Sequence, residues 1–150
     1  MIIGGFAVTL HGYVRTTKDV DIVPDPSEEN LSRLWDVLAD IEARPAELDQ
    51  FATEEMPVAF TRETVVRGGN WTLYTALGRL DLMPYVEDAD GEIPYDELRE
   101  RAESVELDEI GSPIWVASLD DLIAMKEHAG RDIDRIDVTA LRMARGIEDD

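Results

Sequence analysis

The chain opens on a short apolar run, Met1-Ile2-Ile3, that meets Gly4-Gly5 and continues as Phe6-Ala7-Val8-Thr9-Leu10. This order predicts a strand, a tight turn and a helix. Lys18-Asp19-Val20-Asp21-Ile22-Val23 then alternates with the period of a strand, so Asp19 and Asp21 share one face while Val20 and Ile22 take the other. Asp25-Pro26-Ser27-Glu28 reads as a helix start, with Asp25 as cap, Pro26 in the first position and Glu28 closing the box. Leu31, Leu34, Trp35, Leu38 and Ile41 follow at helical spacing and make a core stripe. Phe60 to Val66 and Trp71 to Thr75 read as strands, turning at Gly68-Gly69-Asn70, and Gly78 to Val86 completes a meander.

Further on, Tyr95 to Ala102 predicts a short polar helix. Ser104 to Leu107 and Pro113 to Val116 predict a hairpin turning about Glu109–Ser112. Ser118 is an N-cap with Asp121 three residues on, and Leu119, Leu122, Ile123 and Lys126 then fall on one helical face. A last helix, about Ile133 to Arg145, presents Ile133, Ile136, Val138, Leu141 and Ala144 and ends near Gly146. The elements describe an α/β (α+β) fold: a mixed sheet with flanking helices, in one domain over residues 1–150.

Two features change this picture from scaffold to site. Glycines at a strand-to-helix turn let the backbone approach a phosphate closely, which gives Gly4 and Gly5 a binding role. Asp19 and Asp21, one pleat apart on one face, suit an oxygen-loving divalent cation such as Mg²⁺. Arg15 and Thr16 lie in the loop between helix and strand, within reach of a triphosphate. Lys18 is placed to meet a phosphate or to damp the repulsion between the carboxylates. His11 reads as structural, packing at the helix end with Gly12.

The string from Ile3 through Gly4-Gly5, His11-Gly12, Arg15-Thr16-Thr17 and Asp19-Val20-Asp21 resembles the signature of the polymerase-β-type nucleotidyltransferase superfamily. In its order of Gly-Gly, small residue, His-Gly, Arg-x-Thr and Asp-x-Asp it is similar to one branch in particular. That branch holds small stand-alone bacterial and archaeal proteins related to the nucleotidyltransferase-like toxins of abortive-infection systems. The resemblance implies a nucleotidyltransferase fold and transfer of a nucleoside monophosphate from a Mg-bound nucleoside triphosphate to an acceptor hydroxyl, in a toxin–antitoxin or phage-defence setting. It also implies a third carboxylate on a neighbouring strand. Asp81 fills that place, because Leu80 and Leu82 face one side of their strand and Asp81 the other. Asp19, Asp21 and Asp81 would then hold two cations about 3.5–4 Å apart, one at the attacking hydroxyl and one at the triphosphate.

A second block of similarity runs from Ser118 to Asp137, where Lys126 is followed by Arg131, Asp134 and Asp137. The resemblance puts Lys126 near the nucleotide phosphates. Read from the residues alone, Lys126, Arg131, Asp134 and Asp137 equally form an ion-pair network between helices. Relatives carry a helix before the first strand, whereas this chain begins at that strand; the apolar surface such a helix shields predicts a homodimer.

Charge narrows the acceptor and the partners. The chain has 34 acidic and 14 basic residues, a net of −20, with Lys18 and Lys126 as its lysines. A nucleic-acid binder shows a basic face, so broad nucleic-acid binding is not expected without a partner protein. A polycationic small molecule of the aminoglycoside type suits the field by steering, and an antibiotic nucleotidyltransferase is one alternative function. High acid and low lysine also suit a saline cytoplasm, an explanation that needs no substrate. The other alternative is a catalytically silent binding module, one half of a toxin–antitoxin pair with a cognate partner protein. Without cysteine there is no disulfide or thiolate zinc site. No apolar run approaches membrane-spanning length and no signal peptide is evident, so a cytoplasmic protein away from membranes is expected.

Overall fold

The computed structural model describes residues 1–46 and 58–146. Strand β1 (Ile2–Ile3) runs into helix α1 (Gly4–Leu10), and β2 (Asp19–Ile22) returns antiparallel to β1 with Asp21 opposite Ile3. Helix α2 (Glu28–Asp40), edge strand β3 (Arg44–Pro45) and helix α3 (Arg62–Val66) precede the hairpin of β4 (Trp71–Thr75) and β5 (Gly78–Leu82). A small ribbon of β6 (Glu87–Asp88) and β7 (Gly91–Glu92) leads to α4 (Tyr95–Arg101). The hairpin of β8 (Glu103–Glu106) and β9 (Pro113–Val116) is followed by α5 (Leu119–Ala129) and α6 (Asp132–Arg145).

The main sheet has seven strands in the order β3-β4-β5-β2-β1-β9-β8. It is mixed, with β2 parallel to β5 and β1 parallel to β9 among antiparallel pairs. Its edges are poor templates for further pairing: β3 is two residues long and contains Pro45, and β8 carries Glu103 and Glu106.

Alternation along β2 and β5 divides the sheet. Ile22, Leu80 and Leu82 pack with Leu73, Leu38 and Val65 beneath α2 and α3. Ala7, Val8, Val116, Leu122, Val138 and Leu141, from α1, β9, α5 and α6, form a second core. The opposite face of β2 and β5 is left to Asp19, Asp21, Arg79 and Asp81. Among the described residues no helix is long and apolar enough to cross a membrane.

Several expected elements are corrected. Residues expected as a strand from Phe60 to Val66 form α3. Its start is fixed by a reciprocal capping box, Thr61 accepting from the Thr64 N–H and the Thr64 hydroxyl accepting from the Thr61 N–H. Phe60 precedes it, packed between Trp35 and Trp71 with ring centroids 5.2 and 5.0 Å away. The cap of α2 is Ser27 rather than Asp25, whose carboxylate instead accepts the Ser27 N–H at 2.8 Å in the preceding turn. Strand β5 ends at Leu82, short of Val86, before Pro84. Helix α5 does start at Ser118, which accepts the Asp121 N–H at 3.1 Å. The Asp121 carboxylate does not close the box; it accepts from the Ser118 hydroxyl and from Arg101. Helix α6 is turned from its expected orientation: Ile133 and Ile136 are exposed, and Asp134 and Asp137 are buried beside Val138 and Leu141.

Candidate functional site

The register of β2 against β5 builds the site. Asp19 lies beside Arg79 and Asp21 beside Asp81, and in parallel strands such partners project to the same face. Asp21 and Asp81 open into a cleft of ≈ 480 Å³. Gly4 lines it next to Asp21, Lys126, Arg131 and Asp134 come from α5 and α6, and Met83, Val86, Leu122 and Met125 make its apolar wall.

Gly4 is required by geometry. Its φ of +65° is a left-handed conformation. A Cβ there would sit 2.0 Å from Oδ2 of Asp21. The turn thus allows backbone and carboxylate to touch. Helix α1 is seven residues long, so this close approach, rather than a long helix dipole, is what the Gly-Gly turn contributes. Gly5 serves a different neighbour, with its α-carbon facing Thr17 and the Arg15 guanidinium.

The carboxylates at the cleft floor are under electrostatic strain. Burial, followed by the charges of Asp81 and Asp19 and a hydrogen bond shared with Asp81, pushes the Asp21 carboxyl up to about 6. Oδ1 of Asp81 is buried without a hydrogen-bond partner. Asp19 is held differently, with its Oδ1 3.1 Å from Nε of Arg79 as an ion pair that lacks hydrogen-bond geometry.

A second acidic group lies behind the cleft wall. Asp134 and Asp137 are both completely buried. Lys126 Nζ donates to Asp134 Oδ1 at 3.1 Å and lies 2.7 Å from Asp137 Oδ2. Arg15 donates from Nε and Nη2 to the two Asp137 oxygens at 2.6 and 2.7 Å. Arg131 donates from Nε and Nη2 to Asp134 at 2.6 and 3.1 Å. Burial alone would raise both carboxyls, but the hydrogen bonds from Arg131 and Lys126 to Asp134, and from Arg15 and Lys126 to Asp137, hold both below the ordinary value.

Of the residues singled out from sequence, Gly4, Asp21, Asp81 and Lys126 line the cleft. Asp19 is adjacent and acts on Asp21 through its charge. Gly5, Arg15, Thr16 and Lys18 are not in the lining; Arg15 is committed to Asp137, and Thr16 and Lys18 are exposed in the loop. Lys126 is locked into the ion-pair network that the residues alone allowed, and it also lines the cleft. His11 Nε2 donates to the Ala117 carbonyl at 2.8 Å, a tie between the end of α1 and β9. Asn70, Met83, Tyr85, Glu87 and His128 also line the cleft and carried no signal beyond the Gly68-Gly69 turn before Asn70.

The donor set suits a divalent cation on three observations: the orphaned Asp81 oxygen, the raised Asp21 carboxyl and the side-chain-free approach at Gly4. Among the described residues, no group of three or more His, Cys, Asp or Glu side chains is arranged to hold a metal ion, and Asp19 leans on Arg79. No family model matches the chain, and no curated protein matches it.

Proposed function

We propose that the cleft is the active site of a Mg²⁺-dependent nucleotidyltransferase of the polymerase-β-type fold, which moves a nucleoside monophosphate from a nucleoside triphosphate to an acceptor hydroxyl. The observation that carries the reading is the Asp21–Asp81 pair. Two carboxylates side by side, one with a buried unbonded oxygen and the other pushed up to about 6, repel each other when both are ionised, and a bound cation relieves that repulsion. The two carboxylates present an acidic edge to the cleft. Asp19, one pleat away on the same face, is the third candidate ligand. When bound, magnesium supplies neutralisation of the phosphate charge and Lewis acidity at the reacting phosphorus.

The chain's own groups do the rest. Gly4 leaves room for a phosphate beside Asp21. Arg131 donates from Nε and Nη2 to Asp134 and also lines the cleft, where its guanidinium can meet a phosphate oxygen. Lys126, anchored by two carboxylates, adds a fixed positive charge to the same wall. Met83, Val86, Leu122 and Met125 keep water from one side.

A catalytically silent nucleotide-binding module, such as one partner of a toxin–antitoxin pair, draws on a different observation: Arg79 already neutralises Asp19. The two readings separate in one assay. The protein is incubated with Mg²⁺ and α-labelled nucleoside triphosphates, alone and with aminoglycoside, RNA or protein acceptors, and pyrophosphate is measured. Label transfer that disappears in Asp19→Asn/Asp21→Asn supports the enzyme. Nucleotide binding without pyrophosphate under every acceptor supports the silent module.

A further inference from the structure

The phosphate and cation roles above use the middle and one wall of the cleft and leave its other end without a task. Strand order gives the cleft a direction. Asp21 and Asp81 stand on the central strands β2 and β5, while Lys126 and Arg131 come from helices that pack with α1 and β9. On the opposite side lies β4, whose Trp71 pairs with Leu82. Asn70 and Met83 continue that pairing one step past the sheet, and both line the cleft together with Tyr85.

Tyr85 is 51% exposed although its neighbour Val86 is core. Its hydroxyl end is seated over the Gly68-Gly69-Asn70 turn: a Cβ on Gly68 would lie 3.3 Å from Oη. Gly68, with φ +82°, provides both the turn and the clearance. The hydroxyl end of the ring is thereby seated at the turn that leads into Asn70, and half of the residue stays exposed. The Asn70 side chain is exposed and engages no partner among the described residues. A carboxamide offers a donor and an acceptor side by side, which matches the paired donor and acceptor on the edge of a nucleobase.

We propose that the Asn70–Tyr85 end of the cleft is a purine subsite, in which the base stacks on Tyr85 and the Asn70 carboxamide hydrogen-bonds its edge while the phosphates point toward Lys126 and Arg131. This assignment rests on the nucleotide reading above and adds which nucleotides are taken and which way round they lie. Charge and shape agree on the orientation. The triphosphate is the anionic end of the ligand and the Lys126–Arg131 wall is the cationic end of the cleft; the flat apolar base meets the aromatic end. A cleft of ≈ 480 Å³ is within the range of roughly 300–1,000 Å³ that small-molecule sites occupy. A two-ring base covers more of the Tyr85 face than a one-ring base, so purines gain more from stacking.

The test is calorimetric titration of the full chain with Mg–ATP, Mg–GTP, Mg–CTP and Mg–UTP, repeated on Tyr85→Leu, Tyr85→Phe and Asn70→Ala. The expected wild-type result is tighter binding of ATP and GTP than of CTP and UTP. Tyr85→Leu should weaken purine binding about 5- to 150-fold and erase the purine advantage, whereas Tyr85→Phe keeps both. Asn70→Ala should weaken purine binding about tenfold. Equal binding of all four nucleotides, with Tyr85→Leu unchanged, overturns the subsite and leaves the nucleotide reading standing. Binding of none of the four to the wild type overturns both.

Discussion

Two pairs of aspartates lie within one cleft wall of each other and live under opposite conditions. Asp134 and Asp137 on α6 are completely buried, yet each is met by two cations, and their carboxyls are held below the ordinary range. Asp21 and Asp81 on the sheet are less buried, but they face each other; one is pushed up to about 6 and the other keeps an unbonded oxygen. Burial therefore does not separate structural from functional carboxylates here. Satisfaction does. The α6 pair ties α5, α6 and the α1–β2 loop together through Lys126, Arg131 and Arg15, whereas at Asp21 on the sheet burial and the charges of Asp81 and Asp19 outweigh the offsetting charge of Lys126.

The comparison is broken most severely from the structural side. Lys126→Met leaves two buried carboxylates short of a partner and should destabilise the fold by roughly 3–5 kcal/mol, read by urea unfolding. Next comes Gly4→Ala, which combines a left-handed backbone with a Cβ 2.0 Å from Asp21 Oδ2. A cost of about 1–3 kcal/mol is expected, together with loss of any nucleotide-dependent stabilisation. Asp21→Asn should do the reverse and stabilise the ligand-free protein at pH 7, by about 1 kcal/mol once solvent screening is allowed for.

The smallest effect, and the sharpest in form, is the pH profile. Asp21 holds its proton in the folded state to about pH 6 but loses it near the ordinary 3.8 when unfolded. Between those values the folded state binds more protons, so stability falls as pH rises through that window. Asp134 and Asp137 act with the opposite sign: their folded values are lowered, so their contribution is present above the ordinary carboxylate value and is lost as pH falls below it. Asp21→Asn should flatten the stability curve between about pH 4 and 6 and leave the acid limb in place. Unfolding midpoints measured in urea from pH 3 to 8 check both limbs.

Much of the sheet-side pair was legible because its signals are local. The alternation in Asp19-Val20-Asp21-Ile22 puts both carboxylates on one face, and that in Leu80-Asp81-Leu82 turns Asp81 away from its leucines, while the place of Asp81 beside the other two follows from the family resemblance. Nothing local says that β2 pairs with β5 in register, or that Asp19 meets Arg79. The α6 pair shows the limit plainly. Its sequence presents Ile133 and Ile136 as core, and the structure exposes them, because Asp134 and Asp137 become good core residues only beside Arg15 and Lys126. Arg15 is far along the chain from Asp137, and its pairing is a product of the fold. At α3 the β-branched run Thr64-Val65-Val66 reads as strand, but a capping box between Thr61 and Thr64 and the seat of Phe60 between two tryptophans decide for helix. The Asn70–Tyr85 end of the cleft is not legible for a related reason: neither residue has a distinctive pattern until the fold seats Tyr85 over the Gly68 turn.

The most direct measurement is thermal unfolding at pH 7 with and without Mg²⁺ and nucleoside triphosphate, on the wild type and on Asp81→Asn. A ligand at about one hundred times its dissociation constant adds about 2.7 kcal/mol, which for a domain of this size raises the midpoint by on the order of 5–10 °C. The expected result is a rise of that size that needs both Mg²⁺ and nucleotide in the wild type and is absent in Asp81→Asn. A midpoint that does not move at millimolar Mg²⁺ and nucleotide, or that moves equally in Asp81→Asn, would contradict the assignment of the sheet carboxylates to a cation–nucleotide site.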